Sequence, residues 1–219
     1  LNTTIEKISV NNSIIYQTTD NFGNIKKADI YVSNIDPLYL YNNLINKKTY
    51  SPLLFKKKFS RISMGLFVLF FGTKKKYNNI KHHTIIFGKE FKQLLKKIFS
   101  DKDLPSDISI YLHRPTATDK SFAPKNCDSF YALVPVPNLN SKIDWSKEGN
   151  NFKKHVIKTL NDKVFFDLES NIINEFFMSP KDFEKDYLSY KGSGFSVAPF
   201  FNQSAWFRFH NKSELINNL

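Results

Sequence analysis

An α+β fold is predicted for this chain by three features of its 219 residues. Short runs rich in β-branched residues are bounded by Asp, Asn, Gly and Pro, the alternation of strands and turns in an antiparallel meander. Longer segments carry apolar residues at three- and four-residue spacing, the period of a half-buried helix. The two kinds are interleaved, with neither an internal repeat nor a low-complexity linker between them.

The chain opens as a meander. Residues 3–10 (TTIEKISV) alternate apolar and polar, with Ile5, Ile8 and Val10 prominent, and residues 13–19 follow as a second strand. The turn Asp20-Asn21-Phe22-Gly23-Asn24 then leads to a third strand over residues 28–33 (ADIYVS). Asp36-Pro37 starts a helix: the carboxylate accepts from free N–H groups and proline suits the first turn. Leu38, Tyr41, Leu44 and Ile45 give it one apolar face.

Residues 62–71 read as a fully buried strand and residues 82–87 (HHTIIF) as a short one. Residues 90–99 form the clearest helix, with Phe91, Leu94, Leu95, Ile98 and Phe99 on one face and Lys92, Lys96 and Lys97 largely opposite. Strands at 107–112 and 130–134 flank a proline-punctuated connection, and Pro135 and Pro137 end the second by removing ladder donors. A longer helix spans 145–164, with Phe152, Val156, Leu160 and Val164 in register, and a strand covers 171–178. Ser179-Pro180-Lys181-Asp182 is a helix entry. From Lys191 on the chain is rich in glycine and aromatics and reads as loop.

Composition narrows the chemistry without naming it. A single cysteine, Cys127, excludes an internal disulfide framework and a cysteine-based zinc site. The longest uncharged apolar run, residues 65–72, is far short of the roughly 20 residues a helix needs to cross a bilayer. An excess of 32 basic over 20 acidic side chains favours anionic partners, nucleic acid or an acidic lipid surface. Drift in an AT-rich genome also enriches Lys, Asn, Ile and Phe together, so the charge alone assigns no partner. The lysine clusters 56–58 and 74–76 read as solvated turns or as headgroup contacts. The start at Leu1 rather than Met, and the strand-like approach at residues 215–219, are expected of a piece of a longer protein.

No metal site is expected. His82 and His83 are adjacent and would face opposite ways on a strand, and His113, His155 and His210 have no ligand-like spacing. There is no G-x-S-x-G elbow and no Walker motif, and Cys127 reads as a small packed residue. Gly192-Ser193-Gly194 lacks the preceding strand and the third glycine of a dinucleotide fingerprint.

Specific strings say more. These are residues 28–37 (ADIYVSNIDP), 65–72 (GLFVLFFG) with 82–88 (HHTIIFG), 111–124 (YLHRPTATDKSFAP) continuing to 130–137 (FYALVPVP), and 192–211 (GSGFSVAPFFNQSAWFRFHN). In order and over nearly all of the chain, they resemble the carboxy-terminal half of bacterial-type phytoene desaturases, the FAD-dependent carotenoid dehydrogenases. The resemblance implies the end of a glutathione-reductase-like FAD-binding domain over residues 1–37. It further implies a membrane-facing, mixed-sheet substrate domain over 38–200 and a return towards the flavin segment over 201–219. The glycine-rich FAD motifs would lie outside this stretch.

The implied activity is flavin-dependent dehydrogenation of phytoene, by a cytoplasmic protein peripheral to the membrane and without a nucleic-acid partner. A pure hydrocarbon offers no hydrogen bonds, so its site must select by shape and apolar area. The resemblance places Ile5 where related flavoproteins contact the adenine. His113, Arg114, Thr116 and Asp119 would lie near the flavin or secure their own loop. Gln203, Trp206 and Arg208 would border the isoalloxazine end. It carries over no catalytic acid or base. Another carotenoid desaturase or isomerase, or a basic nucleic-acid-binding module, are the alternatives.

Overall fold

The computed structural model describes residues 2–45 and 60–219. The lysine cluster 56–58 lies outside the described residues. The fold is α+β, and its chain divides into two compact units.

The first unit comprises Leu1–Ser63, Asp186–Tyr190 and Phe195–Leu219. Its strands β1 (Ile5–Asn11), β2 (Ile14–Asp20) and β3 (Ile25–Lys26) form an antiparallel sheet in chain order. The expected third strand over 28–33 is displaced. The Asp20 carboxylate accepts from the N–H groups of Phe22 (3.0 Å) and Asn24 (2.9 Å), and Gly23 takes φ +79°. That turn reverses the chain so sharply that Ile25–Lys26 already pairs with Thr18 and Thr19. Residues 28–33 pass beyond the ladder, Val32 is 94% exposed, and the Tyr31 N–H donates to the Asn218 carbonyl (2.9 Å).

Asp36 caps the next turn as expected, accepting from the Leu38 N–H at 2.8 Å. Helix α1 (Pro37–Tyr39) is short and widens into a looser turn over Leu40–Leu44. Leu40, Leu44 and Ile45 pack with Ile8, Ile15 and Ile216. Residues 215–219 form no strand; Asn218 instead clasps both backbone groups of Ile15 (2.8 and 3.0 Å), satisfying polar atoms at an edge of β2.

The second unit comprises Met64–Lys185 and Lys191–Gly194. Strands β4 (Gly65–Thr73), β5 (His83–Ile86), β6 (Ile110–His113), β7 (Asp128–Val136) and β8 (Ile172–Met178) form a sheet in the order β5-β6-β7-β4-β8. Every ladder in it is antiparallel, where the family resemblance implied a mixed sheet. Pro135 does not end β7; it lies within it, opposite Leu66. Pairing with β6 stops at Leu133, so beyond that point β7 has a neighbour on one side only, where a missing N–H is tolerated.

Phe67, Leu69 and Phe71 from β4 share a core with Phe130, Ala132 and Val134 from β7 and Ile110 and Leu112 from β6. Helix α3 (Trp145–Leu160) contributes Trp145, Phe152, Val156, Ile157 and Leu160. Asp144 caps it, accepting from the Ser146 N–H (3.1 Å). A Cβ on Gly149 would meet the Phe177 ring at 2.7 Å, so this glycine sets how closely α3 approaches β8. Helix α2 (Phe91–Lys96) runs on into a wider turn over Lys97–Asp101. Of its expected apolar face only Leu94 and Ile98 are buried; Phe91, Leu95 and Phe99 remain exposed. At the start of α4 (Pro180–Tyr187), the Asp182 carboxylate accepts from both the N–H and the hydroxyl of Ser179, each at 2.7 Å.

Candidate functional site: the open aromatic face

The alternation of side chains along a strand means that the five-stranded sheet has a second face. Its register brings one residue from each strand into a single row: His83 on β5, His113 on β6, Tyr131 on β7, Phe70 on β4 and Phe176 on β8. All five are rings. Successive centroids lie 5.3, 4.7, 5.9 and 4.7 Å apart, within the range of favourable aromatic contact. The next row is Ile85, Tyr111, Leu133, Val68 and Met178. Phe176 is 60% exposed and Ile85 62% exposed, a large apolar investment left in solvent.

The row is graded. At the Phe70–Phe176 end, a cleft of about 360 Å³ is lined by those rings together with Phe122, Pro124 and Cys127. At the other end the rings are polar. His82 Nε2 lies 2.8 Å from His113 Nε2, and His83 Nδ1 lies 2.7 Å from the Tyr111 hydroxyl. His82 Nδ1 also contacts the Thr118 hydroxyl. Burial lowers the His113 pKa, and charge on His82 and His83 would lower it further, so His113 is held neutral. Burial raises the Tyr131 phenol, reinforced by its Tyr111 neighbour, so it stays protonated.

The expectation that His82 and His83 face opposite ways is corrected. His82 precedes β5 rather than belonging to it, so strand alternation does not separate the pair, and their rings lie 4.3 Å apart. Together with His113 they place one ring nitrogen each within 4.8 Å of the others. The cross-strand partnership of residue 83 with residue 113 has no sequence signal, because ladder register links positions far apart in the chain.

The other residues singled out by sequence fall in different places. Arg114 lies on the core side, its guanidinium donating to Asp128 at 3.0 and 3.2 Å and to the Ile80 carbonyl at 2.9 Å. Thr116 donates to the same Asp128 carboxylate (2.8 Å), and so does the Tyr77 N–H (2.7 Å). Asp128 was not anticipated, yet it ties the start of β7 to the 114–118 turn. Asp119 caps a turn of its own by accepting from the Ser121 N–H at 2.8 Å, and that bond lowers its carboxyl pKa.

In the first unit, Gln203 is buried and clamps backbone: it accepts from the Arg61 N–H (3.0 Å) and donates to the carbonyls of Arg61 (2.7 Å) and Ala198 (2.6 Å). Arg208 is exposed, and Ile5 is half-buried on β1 against the Ile8–Ile15 cluster. Trp206 lies in a short turn, Ala205–Phe207. The glycine pair has a packing explanation. A Cβ on Gly194 would meet Leu66 at 2.5 Å and one on Gly192 would strike the Pro180 backbone, so neither glycine is left to cradle a phosphate.

No protein-family profile matches the chain. The chain is 40% identical over 198 residues to a neurosporene-forming phytoene desaturase of Rhodobacter capsulatus, a match covering 88% of this chain and 38% of that protein. It is 36% identical over 225 residues to a lycopene-forming phytoene desaturase of Pseudescherichia vulneris, covering 100% of this chain and 45% of that one. In structure it is similar to an oxidoreductase from Methanosarcina mazei, with a TM-score of 0.52 and 10% identity over 81% of this chain and 37% of the other. The chain thus spans about two fifths of the length of these relatives. Over nearly its whole length, this chain is a homologue of the bacterial phytoene desaturases.

Proposed function

We propose that this chain is the substrate-handling portion of a phytoene desaturase, from the carboxy-terminal half of such an enzyme. The observation that carries the proposal beyond homology is the open aromatic face. Phe70 and Phe176, continued by Ile85, Leu133 and Met178 in the next row, give this face an apolar stretch suited to a substrate with no polar atom, with the polar rings confined to its β5–β6 end. At roughly 25 cal/mol per Å² of apolar surface covered, such a stretch holds a polyene firmly without a hydrogen bond. The rings also resist deformation, so a carbon chain laid across them keeps one height above the sheet.

FAD is the implied cofactor, and when bound it supplies the acceptor for the hydride removed from the hydrocarbon. The glycines of this chain do not fit the dinucleotide part of FAD, because Gly192 and Gly194 are consumed by packing. The pyrophosphate is therefore assigned to residues outside this stretch, and no step is derived through it. Within the stretch, residues 1–37 are assigned to the flavin domain with Ile5 as an adenine neighbour. Residues 38–200 are assigned to the substrate domain and 201–219 to the return, with Gln203, Trp206 and Arg208 towards the ring. Arg114, Thr116 and Asp119 shape their loop, and His113 faces the hydrocarbon.

Peripheral membrane contact belongs to the same reading. Among the described residues no helix is long and apolar enough to cross a bilayer. Helix α2 and the turn after it nevertheless expose Phe91, Leu95 and Phe99 beside Lys92, Lys96 and Lys97. Exposed apolar groups flanked by cations suit a shallow seat in anionic lipid.

Expression of the whole protein in cells that accumulate phytoene tests the function. Coloured polyenes are expected, with less colour from Tyr131→Ala and Phe176→Ala at equal protein levels. Colourless cells containing soluble, FAD-loaded protein would reject phytoene as the substrate. Flotation with vesicles tests the membrane contact: Phe91→Ser/Phe99→Ser protein should stay with the soluble fraction.

A further inference from the structure

The three histidines at the polar end of the aromatic row have a use that hydrocarbon binding does not supply. We propose that His82, His83 and His113 form a site for a divalent transition-metal ion of the zinc type, held by three imidazoles with at least one coordination position open. This inference stands apart from the desaturase reading, since it rests on the imidazole geometry alone.

The donor set is of the right kind. Neutral imidazole is a preferred ligand of zinc, nickel, copper and cobalt dications, and three histidines with an open position is a known zinc arrangement. The spacing is near what an ion requires. No two of the three nitrogens are more than 4.8 Å apart, and His82 Nε2 and His113 Nε2 are 2.8 Å apart. Around an ion held tetrahedrally at about 2.0–2.1 Å from each nitrogen, the nitrogens stand about 3.4 Å apart, so the His82–His113 pair must open slightly and the widest pair must close by roughly 1.4 Å. His83 is exposed and has the freedom to do so.

The surroundings favour the same reading. His82 Nδ1 contacts the Thr118 hydroxyl and His83 Nδ1 contacts the Tyr111 hydroxyl, so each of these rings is oriented by a hydrogen bond on one nitrogen. Outer hydrogen bonds of this kind fix ring orientation in metal sites. His113 Nδ1 is buried and among the described residues has no hydrogen-bond partner, so this ring is held by packing rather than by an outer hydrogen bond.

The site also has a mechanical consequence. His83 sits on β5, which is four residues long and among the described residues pairs with β6 alone, while His113 sits on β6. An ion bridging them would pin the edge strand to the sheet and fix the polar end of the ring row.

The test uses the whole protein without a polyhistidine tag, stripped with EDTA and titrated calorimetrically with Zn²⁺. The wild type should bind one equivalent more than His83→Gln, and should melt at a higher temperature in Zn²⁺, reversibly with EDTA, where His83→Gln does not. Tyr111→Phe should keep the stoichiometry while weakening binding on the order of tenfold, as loss of an outer-shell partner does. His83 is exposed, so its substitution tests the site without threatening the fold; circular dichroism checks that. Equal stoichiometry in wild type and His83→Gln, or no saturable binding by the wild type, would overturn the proposal.

Discussion

The two faces of the five-stranded sheet are made by the same strands yet differ in what they do with aromatic rings. On the α3 side, Phe67 is fully buried and meets Trp145, Phe152 and Phe177 at centroid distances of 5.8, 5.0 and 5.0 Å. On the other side, Phe70 and Phe176 stack just as closely, at 4.7 Å, but remain accessible. Stacking alone therefore does not mark a core. What separates the faces is cover: a helix layer closes over the rings on one side, whereas on the other Phe176 stays 60% exposed.

That contrast makes its largest prediction in the core. Phe67→Ala should cost about 3–5 kcal/mol, the range for emptying a buried aromatic site. Phe176→Ala, at a side chain already largely in water, should change stability by less than about 1 kcal/mol while depressing polyene formation. Denaturant midpoints and carotenoid yield, measured on both variants, decide it. If Phe176→Ala destabilised as much as Phe67→Ala, the open face would be core by another name.

The Arg114–Asp128 pair sharpens the comparison, because it lies on the covered side and ties the start of β7 to the 114–118 turn. The Arg114 side chain is 6% exposed and that of Asp128 not at all. Arg114→Ala leaves a buried carboxylate unpaired and should cost about 3–5 kcal/mol. Replacing both partners, as Arg114→Met/Asp128→Leu, should recover a good part of that loss, since the uncompensated charge is gone. Recovery in the double variant, read from thermal melts, would identify the pair as support for the turn. Failure to recover would mean that the Thr116 and Tyr77 bonds to Asp128 matter more than the ion pair.

A smaller effect is expected where the helix meets the sheet. Gly149→Ala puts a Cβ at 2.7 Å from the Phe177 ring, and overpacking of this kind costs about 1–3 kcal/mol. A wild-type-like melting temperature would show that Phe177 swings aside, and that α3 is seated less tightly than its glycine implies.

These regions also differ in how far the sequence discloses them. The existence of the strands and of the helix at 65–73, 128–136 and 145–160 is a local signal, so these elements could be read from residue types. The open face could not. Residues 65–73 look uniformly apolar, which hides the alternation that sends Phe70 one way and Phe71 the other. Only register joins His83, His113, Tyr131, Phe70 and Phe176, and register depends on long-range pairing. The misplaced third strand fails for a related reason. β-branched residues at 30 and 32 satisfy the local rule, but the tight Asp20 turn had already used the available edge. His82 and His83 were separated by a rule for strands that applies to only one of them.

The mildest prediction concerns pH and lies at the far margin of the covered face. Asp167 accepts a hydrogen bond from Lys75 and another from the Tyr77 hydroxyl (2.9 Å), and these, the first above all, hold its carboxyl below the ordinary 3.8. A carboxyl depressed in the folded state binds protons more readily when unfolded. Its contribution is complete above about pH 4 and drains away as pH falls through the depressed value. Lys75 and Asp167 are both well exposed, so solvent and salt screen the pair and the contribution is small. Asp167→Asn should flatten the acid limb of the stability profile below pH 4 and leave the midpoint at neutral pH nearly unchanged, with the remaining difference shrinking in high salt. A steeper acid limb in the variant would reverse the sign of the argument. It would mean that the Tyr77 hydroxyl, whose own pKa is raised by burial and by Asp167, is what holds that corner together.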